Sequence, residues 1–174
     1  MISSHHQSSL ITKNAGLVIA NQYIPVLFER LGLMRDNKFI SETAQLDAVN
    51  YLQYVTSGKL DRNPDFMSLN KVLCGLPLNH PVPAELVISK EHKELIDGMI
   101  KAMINAWPVF DKTSVQGFRT AWFLRRGVVI DWDGEWRLWV DKASYDMLLH
   151  QSPYSFAVVK YPWMHKPMKV IWEY

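Results

Sequence analysis

Apolar residues recur at helical spacing through the first two thirds of the chain and change to a two-residue alternation in the last third. Residues 14–33 are strongly apolar. Leu17, Ile24, Leu27, Phe28 and Leu31 fall near helical spacing, Pro25 interrupts the run and Gly32 suits its stop. Two short helices or one bent helix are expected. After a polar loop over 36–39, Ser41 reads as an N-cap with Glu42 in the first turn. Ala48, Val49, Leu52 and Val55 form the stripe that follows, flanked by Tyr51 and Tyr54, and Gly58 ends it. Asn63-Pro64-Asp65 starts another helix, carried by Phe66, Leu69, Val72 and Leu73 to Cys74 and stopped by Gly75. Residues 76–83 hold three prolines and predict an irregular connection. Ser89 caps the best helical pattern, in which Leu95, Ile96, Met99, Ile100, Met103, Ile104 and Trp107 make one broad apolar face closed by Pro108. Asp111 or Thr113 then caps a helix directing Val115, Phe118, Trp122 and Leu124 to the core, with Arg125 and Arg126 answering the dipole in its last turn.

From Gly127 the pattern is β. Two β-rich runs flank Asp133-Gly134, a pair suited to a type I′ turn. That loop sets Trp132 opposite Glu135, Asp131 opposite Trp136, Ile130 opposite Arg137 and Val129 opposite Leu138. One face carries Val129, Trp136, Leu138 and Val140; the other carries Val128, Ile130, Trp132 and Trp139, with Glu135 and Arg137 among them. A hairpin with one face in water has one plainly polar side. Here both sides are apolar, so something covers the second: a helix of the same chain, or another protein. Ser144 caps a short helix over 145–150, Ser152-Pro153 breaks it, and residues 156–161 read as a strand. A turn over 162–167 holds Trp163, and a closing strand puts Met168, Val170 and Trp172 on one face. Strands after a run of helices predict an α+β fold: N-terminal helices packed on a C-terminal four-stranded antiparallel sheet made of two hairpins. Residues 1–13 read as a flexible leader and 14–174 as a single α+β domain, with a subdomain break allowed near 76–88.

Composition narrows the class. With 174 residues, 48% hydrophobic and 21% charged, the chain supports one domain with a real core. A net charge of +2 from 19 basic and 17 acidic residues gives no footprint for nucleic acid or an anionic membrane. A single cysteine, Cys74, excludes an internal disulfide framework, and its place in an apolar run points to inert core. No apolar run is long enough for membrane insertion.

Candidate chemistry is sparse. Phosphate loops, dinucleotide glycines, zinc-ligand pairs and serine elbows are absent from the sequence. His5-His6 lacks further ligands and reads as a solvated tail. Asp131, Asp133, Glu135 and Asp141 gather around the hairpin without calcium-loop spacing. No cofactor or metal is implied. The best acid–histidine pair is Asp146 with His150, at helical spacing, around which a small hydrolase or transferase site would have to be assembled.

Several phrases combine into a resemblance. Asn14-Ala15-Gly16-Leu17-Val18, Leu27-Phe28-Glu29-Arg30-Leu31-Gly32-Leu33 and Leu69-Asn70-Lys71-Val72-Leu73-Cys74-Gly75-Leu76-Pro77 occur in order. Phe123-Leu124-Arg125-Arg126-Gly127, Trp136-Arg137-Leu138-Trp139-Val140, Tyr145-Asp146-Met147-Leu148-Leu149 and Tyr161-Pro162-Trp163-Met164 follow them. The ordered set, over about 14–172, resembles the C-terminal region of the tape measure proteins of contractile injection systems, the phage-tail-like particles of bacteria. The resemblance implies a non-enzymatic structural and assembly role with no catalytic residues. It places the chain in the bacterial cytoplasm during assembly and within the injection particle. The implied partners are baseplate or inner-tube proteins, not nucleic acid or membrane; a homo-oligomer is left open. A wholly helical chain of this length would span only about 260 Å, and its caps and prolines specify a compact body of roughly 16 Å radius of gyration. A terminal docking domain fits better than the ruler itself. Trp132, Trp139 and Trp163 are the candidate protein-interaction residues, because Trp is typical of interface anchors; each could equally pack inside the domain.

Overall fold

The most deeply buried segment of the chain is also one of its tightest. In a computed structural model describing residues 8–61, 63–83, 86–109 and 112–174, every residue of the 3-10 helix Ala15–Ala20 is buried. Gly16 makes this possible: a Cβ there would lie 1.6 Å from the Trp122 carbonyl oxygen. Thr12 and Asn14 lead into the segment with their polar groups satisfied. The Thr12 hydroxyl donates to Asn14 Oδ1 (2.6 Å), Asn14 Nδ2 to Asn70 Oδ1 (2.9 Å), and Asn70 Nδ2 to the Val49 carbonyl (3.1 Å). Such fully paired buried amides fix one register between elements.

The helices follow their local signals. Pro25 starts α1 (Ile24–Arg30), so the apolar run becomes two short helices. The Ser41 hydroxyl accepts from Ala44 N–H at the start of α2 (Glu42–Ser57), and Gly58 ends it at φ 73°. A 3-10 turn, Pro64–Phe66, precedes α3 (Ser68–Leu73). Ser89 caps α4 (Lys90–Ala106), which buries Ile96, Ile100, Met103 and Ile104, with Trp107 at its end. The next cap is Ser114, not Thr113, opening α5 (Val115–Phe118); Asp111 lies outside the described residues, as do His5 and His6. A π-helical turn, Arg119–Phe123, continues α5, and Leu124 N–H reaches back to the Arg119 carbonyl at 2.9 Å. Near the C-terminal end of the chain the 3-10 segment Asp146–Gln151 begins after Tyr145, without a side-chain cap from Ser144.

The sheet corrects the sequence expectation. It has five strands and is mixed, in the order β1 (Ser9–Thr12), β4 (Gly127–Trp132), β5 (Glu135–Val140), β7 (Met168–Ile171), β6 (Val158–Val159). The β4–β5 hairpin has the expected register. Its turn is not type I′, because of its two loop residues only Gly134 has a positive φ. That geometry occurs instead at Asp36-Asn37 (φ 52° and 61°), which joins β2 (Met34–Arg35) to β3 (Lys38–Phe39) where a plain loop was expected. β6 and β7 do form a second antiparallel hairpin, but the sheet it joins is mixed. β7 runs parallel to β5, and β6, shorter than the strand expected over 156–161, lies antiparallel on its outside. The connection over 141–167 is long enough for a parallel crossover. It delivers the Pro167 carbonyl to Trp136 N–H (2.7 Å), so β7 enters beside the start of β5. β1, taken for part of the leader, pairs antiparallel with β4.

One face of this sheet is filled. Thr12, Val129, Leu138, Val140, Val159, Met168 and Val170 are buried and share a single core with the 3-10 segment and the helices. Gly127 admits a close contact with the 3-10 segment, since a Cβ there would meet the Ala15 Cβ at 2.7 Å and the Trp139 carbonyl oxygen at 2.4 Å.

Candidate docking site

The strand registers define what lies on the opposite face. Ile11 pairs with Val128, Val128 with Trp139 and Trp139 with Ile171, giving an apolar row across four strands. Ile11 is 44% exposed and Trp139 46%, while Val128 and Ile171 are half-buried beside them. The next row runs Ser9, Ile130, Arg137, Lys169 and Val158, the last 63% exposed. The same strands that fill the core on one side thus show water a continuous apolar band on the other.

The three candidate tryptophans part company. Trp139 stands in the middle of the open face. Trp132 lies on the same face near the hairpin tip, under the Arg137 guanidinium, 4.0 Å from its ring centroid. Arg137 is itself held by Glu135 at 3.1 Å. Lys166 then fixes the tip to the turn before β7: it pairs with Asp131, donates to the Trp132 carbonyl (2.9 Å) and lies over the Trp136 ring (4.5 Å). Asp131 and Glu135 are therefore engaged by cations of the chain. Among the described residues no group of three or more His, Cys, Asp or Glu side chains could hold a metal.

Trp163 belongs elsewhere. It stacks on Tyr161 (4.7 Å), packs against Phe28 and Phe39, and donates its indole N–H to the Leu73 carbonyl (2.8 Å). It closes the α1–α3 side of the core, where Gly75 passes so near that a Cβ would lie 2.3 Å from the Trp163 carbonyl oxygen.

The supposed acid–histidine pair does not form. Asp146 is fully buried and receives Arg125 through two hydrogen bonds (2.6 and 3.0 Å), Ala143 N–H (2.9 Å) and the Trp172 indole N–H (2.9 Å). Burial alone would raise its pKa, but Arg125, Ala143 and Trp172 together hold the carboxyl below the usual carboxylate range. His150 instead sets its ring against Tyr174. Asp146 joins the segments that follow the π-turn and β7 to the start of the 3-10 segment, a structural role in which its carboxylate is paired with Arg125 and not with His150. The Cys74 thiol is buried, and burial pushes its pKa up, so it is not poised as a nucleophile. Sequence reasoning missed two features of the site. Ile11 was assigned to the leader, although Leu10-Ile11-Thr12 is a short β-prone run. Ile171 joined the face only through the unforeseen parallel pairing.

The family model for contractile injection system tape measure proteins matches residues 2–172. The chain belongs to that family. Comparison with curated proteins finds no match, and neither does comparison with solved structures. A contractile injection system tape measure protein is a structural component of the particle. Three phrases that carry the tape measure resemblance hold Gly16, Gly75 and Gly127, the glycines at the closest backbone contacts of the fold. Among the described residues no helix is long and apolar enough to cross a membrane.

Proposed function

We propose that this tape measure family chain is a non-enzymatic docking module that binds baseplate or inner-tube proteins of the particle through the open face of its sheet. Residues 14–174 act in it as one unit, with β1 extending the docking face, during assembly in the bacterial cytoplasm and afterwards within the particle. The observation that carries the reading is the row Ile11, Val128, Trp139 and Ile171, apolar and open on a sheet whose other face is already filled. Exposed contiguous apolar surface marks interaction sites, and an aromatic at its centre is the usual anchor. Trp139 is that anchor, Trp132 with its Arg137 cover forms the rim, and Trp163 takes no direct part. Compactness supports docking over measuring: α4, at 17 residues, spans only about 26 Å.

The test is Trp139→Ser, alone and with Trp132→Ser, assayed against the purified baseplate and inner-tube proteins. Retained circular dichroism with binding weakened at least about tenfold is expected, the loss typical of a hot-spot residue. A folded double variant that binds both sets of proteins as the wild type does overturns the reading.

A further inference from the structure

β1 is an edge strand, and its free side is shaped to take another. Asp131 N–H bonds the Ser8 carbonyl at 2.9 Å. Since main-chain direction alternates along an antiparallel strand, Ser8, Leu10 and Thr12 face β4, while Ser9, Ile11 and Lys13 face outward. The outward groups at one end are already used as a strand would use them. Lys13 N–H donates to the Asp65 carbonyl (2.8 Å), and the Ser68 hydroxyl reaches the Ile11 carbonyl (3.4 Å). Ser9 N–H, Ser9 C=O and Ile11 N–H are left without a partner among the described residues.

What opens beside them is a groove of about 610 Å³ between Ser9–Ile11 and a wall that includes Met67, Lys71, Leu78 and Val82. Leu10 turns toward the core side of the sheet, lines this groove and is 43% exposed. Residues 8–12 contain no charge or proline, the usual devices that keep an edge from pairing. Lys71 donates to the Leu78 carbonyl at 3.2 Å and has no carboxylate partner among the described residues.

We propose that the outer edge of β1 is a strand-addition site, where an extended segment of a partner protein pairs its main chain with Ser9 and Ile11 and lays an apolar side chain in the groove between Leu10, Met67, Leu78 and Val82. Main-chain donors and acceptors in a row select an extended strand, not a helix. Lys71 selects a segment with an acidic side chain within its reach. The added strand would continue the open sheet beyond Ile11, so edge and face form one surface. This inference rests on the docking reading only for the choice of partner proteins.

The experiment measures binding of tiled synthetic peptides covering the particle's baseplate and inner-tube proteins to the full chain by fluorescence anisotropy. Ile11→Pro removes the outward N–H while sparing the bonds to β4, because proline is tolerated on the open side of an edge strand. Ile11→Ala keeps that N–H. At least one peptide is expected to bind, about tenfold or more weakly to Ile11→Pro than to Ile11→Ala, with Ile11 N–H of the wild type newly protected from hydrogen exchange. N-methylation of the peptide, which does not depend on how the proline variant folds, should abolish binding at alternate residues only. Absence of any binding peptide overturns the proposal, as does indifference to Ile11→Pro or an N-methyl scan with helical or no periodicity. Dimerisation of the chain alone, lost in Ile11→Pro, would assign the edge to a second copy and also overturn it. Intact partner proteins that bind through Trp139 but ignore Ile11→Pro would sink this inference and leave the docking reading standing.

Discussion

At the scale of single residues, the Arg125–Asp146 pair sets the largest electrostatic stake in the fold. Both side chains are buried and mutually satisfied, so removing one leaves an uncompensated charge. Asp146→Asn should cost about 3–5 kcal/mol, read from the denaturant midpoint. Because the folded-state pKa of Asp146 is lowered, its stabilisation is fully present above the unfolded value of about 3.9 and drains away as pH falls through the folded value. The stability gap between wild type and Asp146→Asn should therefore close on acidification below about pH 4; a gap that widens there would contradict the assignment. A second comparison separates space from backbone strain. Gly16→Ala must push Trp122 backbone aside and should prevent folding, whereas Gly134→Ala meets nothing within 4 Å and carries only the strain of φ 75°. It should cost about 1 kcal/mol in thermal unfolding. Neither the ion pair nor the Gly16 contact could be read from the chain, since each joins segments whose approach is a property of the packed fold. Sequence spacing instead matched Asp146 to the nearest histidine.

Among the elements, those specified by neighbours in sequence were legible and those specified by distant partners were not. Ser41, Gly58 and Ser89 marked helix ends because capping depends on groups within four residues. The β4–β5 register was legible because a two-residue loop leaves little freedom. The β7 pairing was hidden because a strand does not encode whether its neighbour runs with it or against it, and β1 because four residues offer too short an alternation to stand out. The apolar second face of the hairpin was visible in the sequence; that it is open at Trp139 required the structure. Ser89→Ala should lower stability by about 1 kcal/mol in chemical denaturation, as the cap of the longest helix. Tryptophans on different elements should part in the same assay. Trp163→Ser loses aromatic packing and a hydrogen bond and should cost about 3 kcal/mol, while Trp139→Ser stays within about 0.5 kcal/mol of wild type.

For the whole molecule, the sheet ties the two ends of the described chain together: β1 and β7 are each one strand away from the central β4–β5 hairpin. The 3-10 segment Ala15–Ala20, wholly buried in the finished fold, lies between that sheet and the π-turn after α5. A chain emerging from the ribosome offers this apolar segment to water before any of its cover exists. At about 5–20 residues per second the wait for β7 lasts roughly 10–30 s. Burial of the first core residues is thus timed by synthesis of the last ones, and folding runs through contacts of long sequence separation, which are slow to form. Until β7 arrives, that early segment keeps apolar surface open to other chains, the kind of exposure that makes a folding intermediate prone to aggregate.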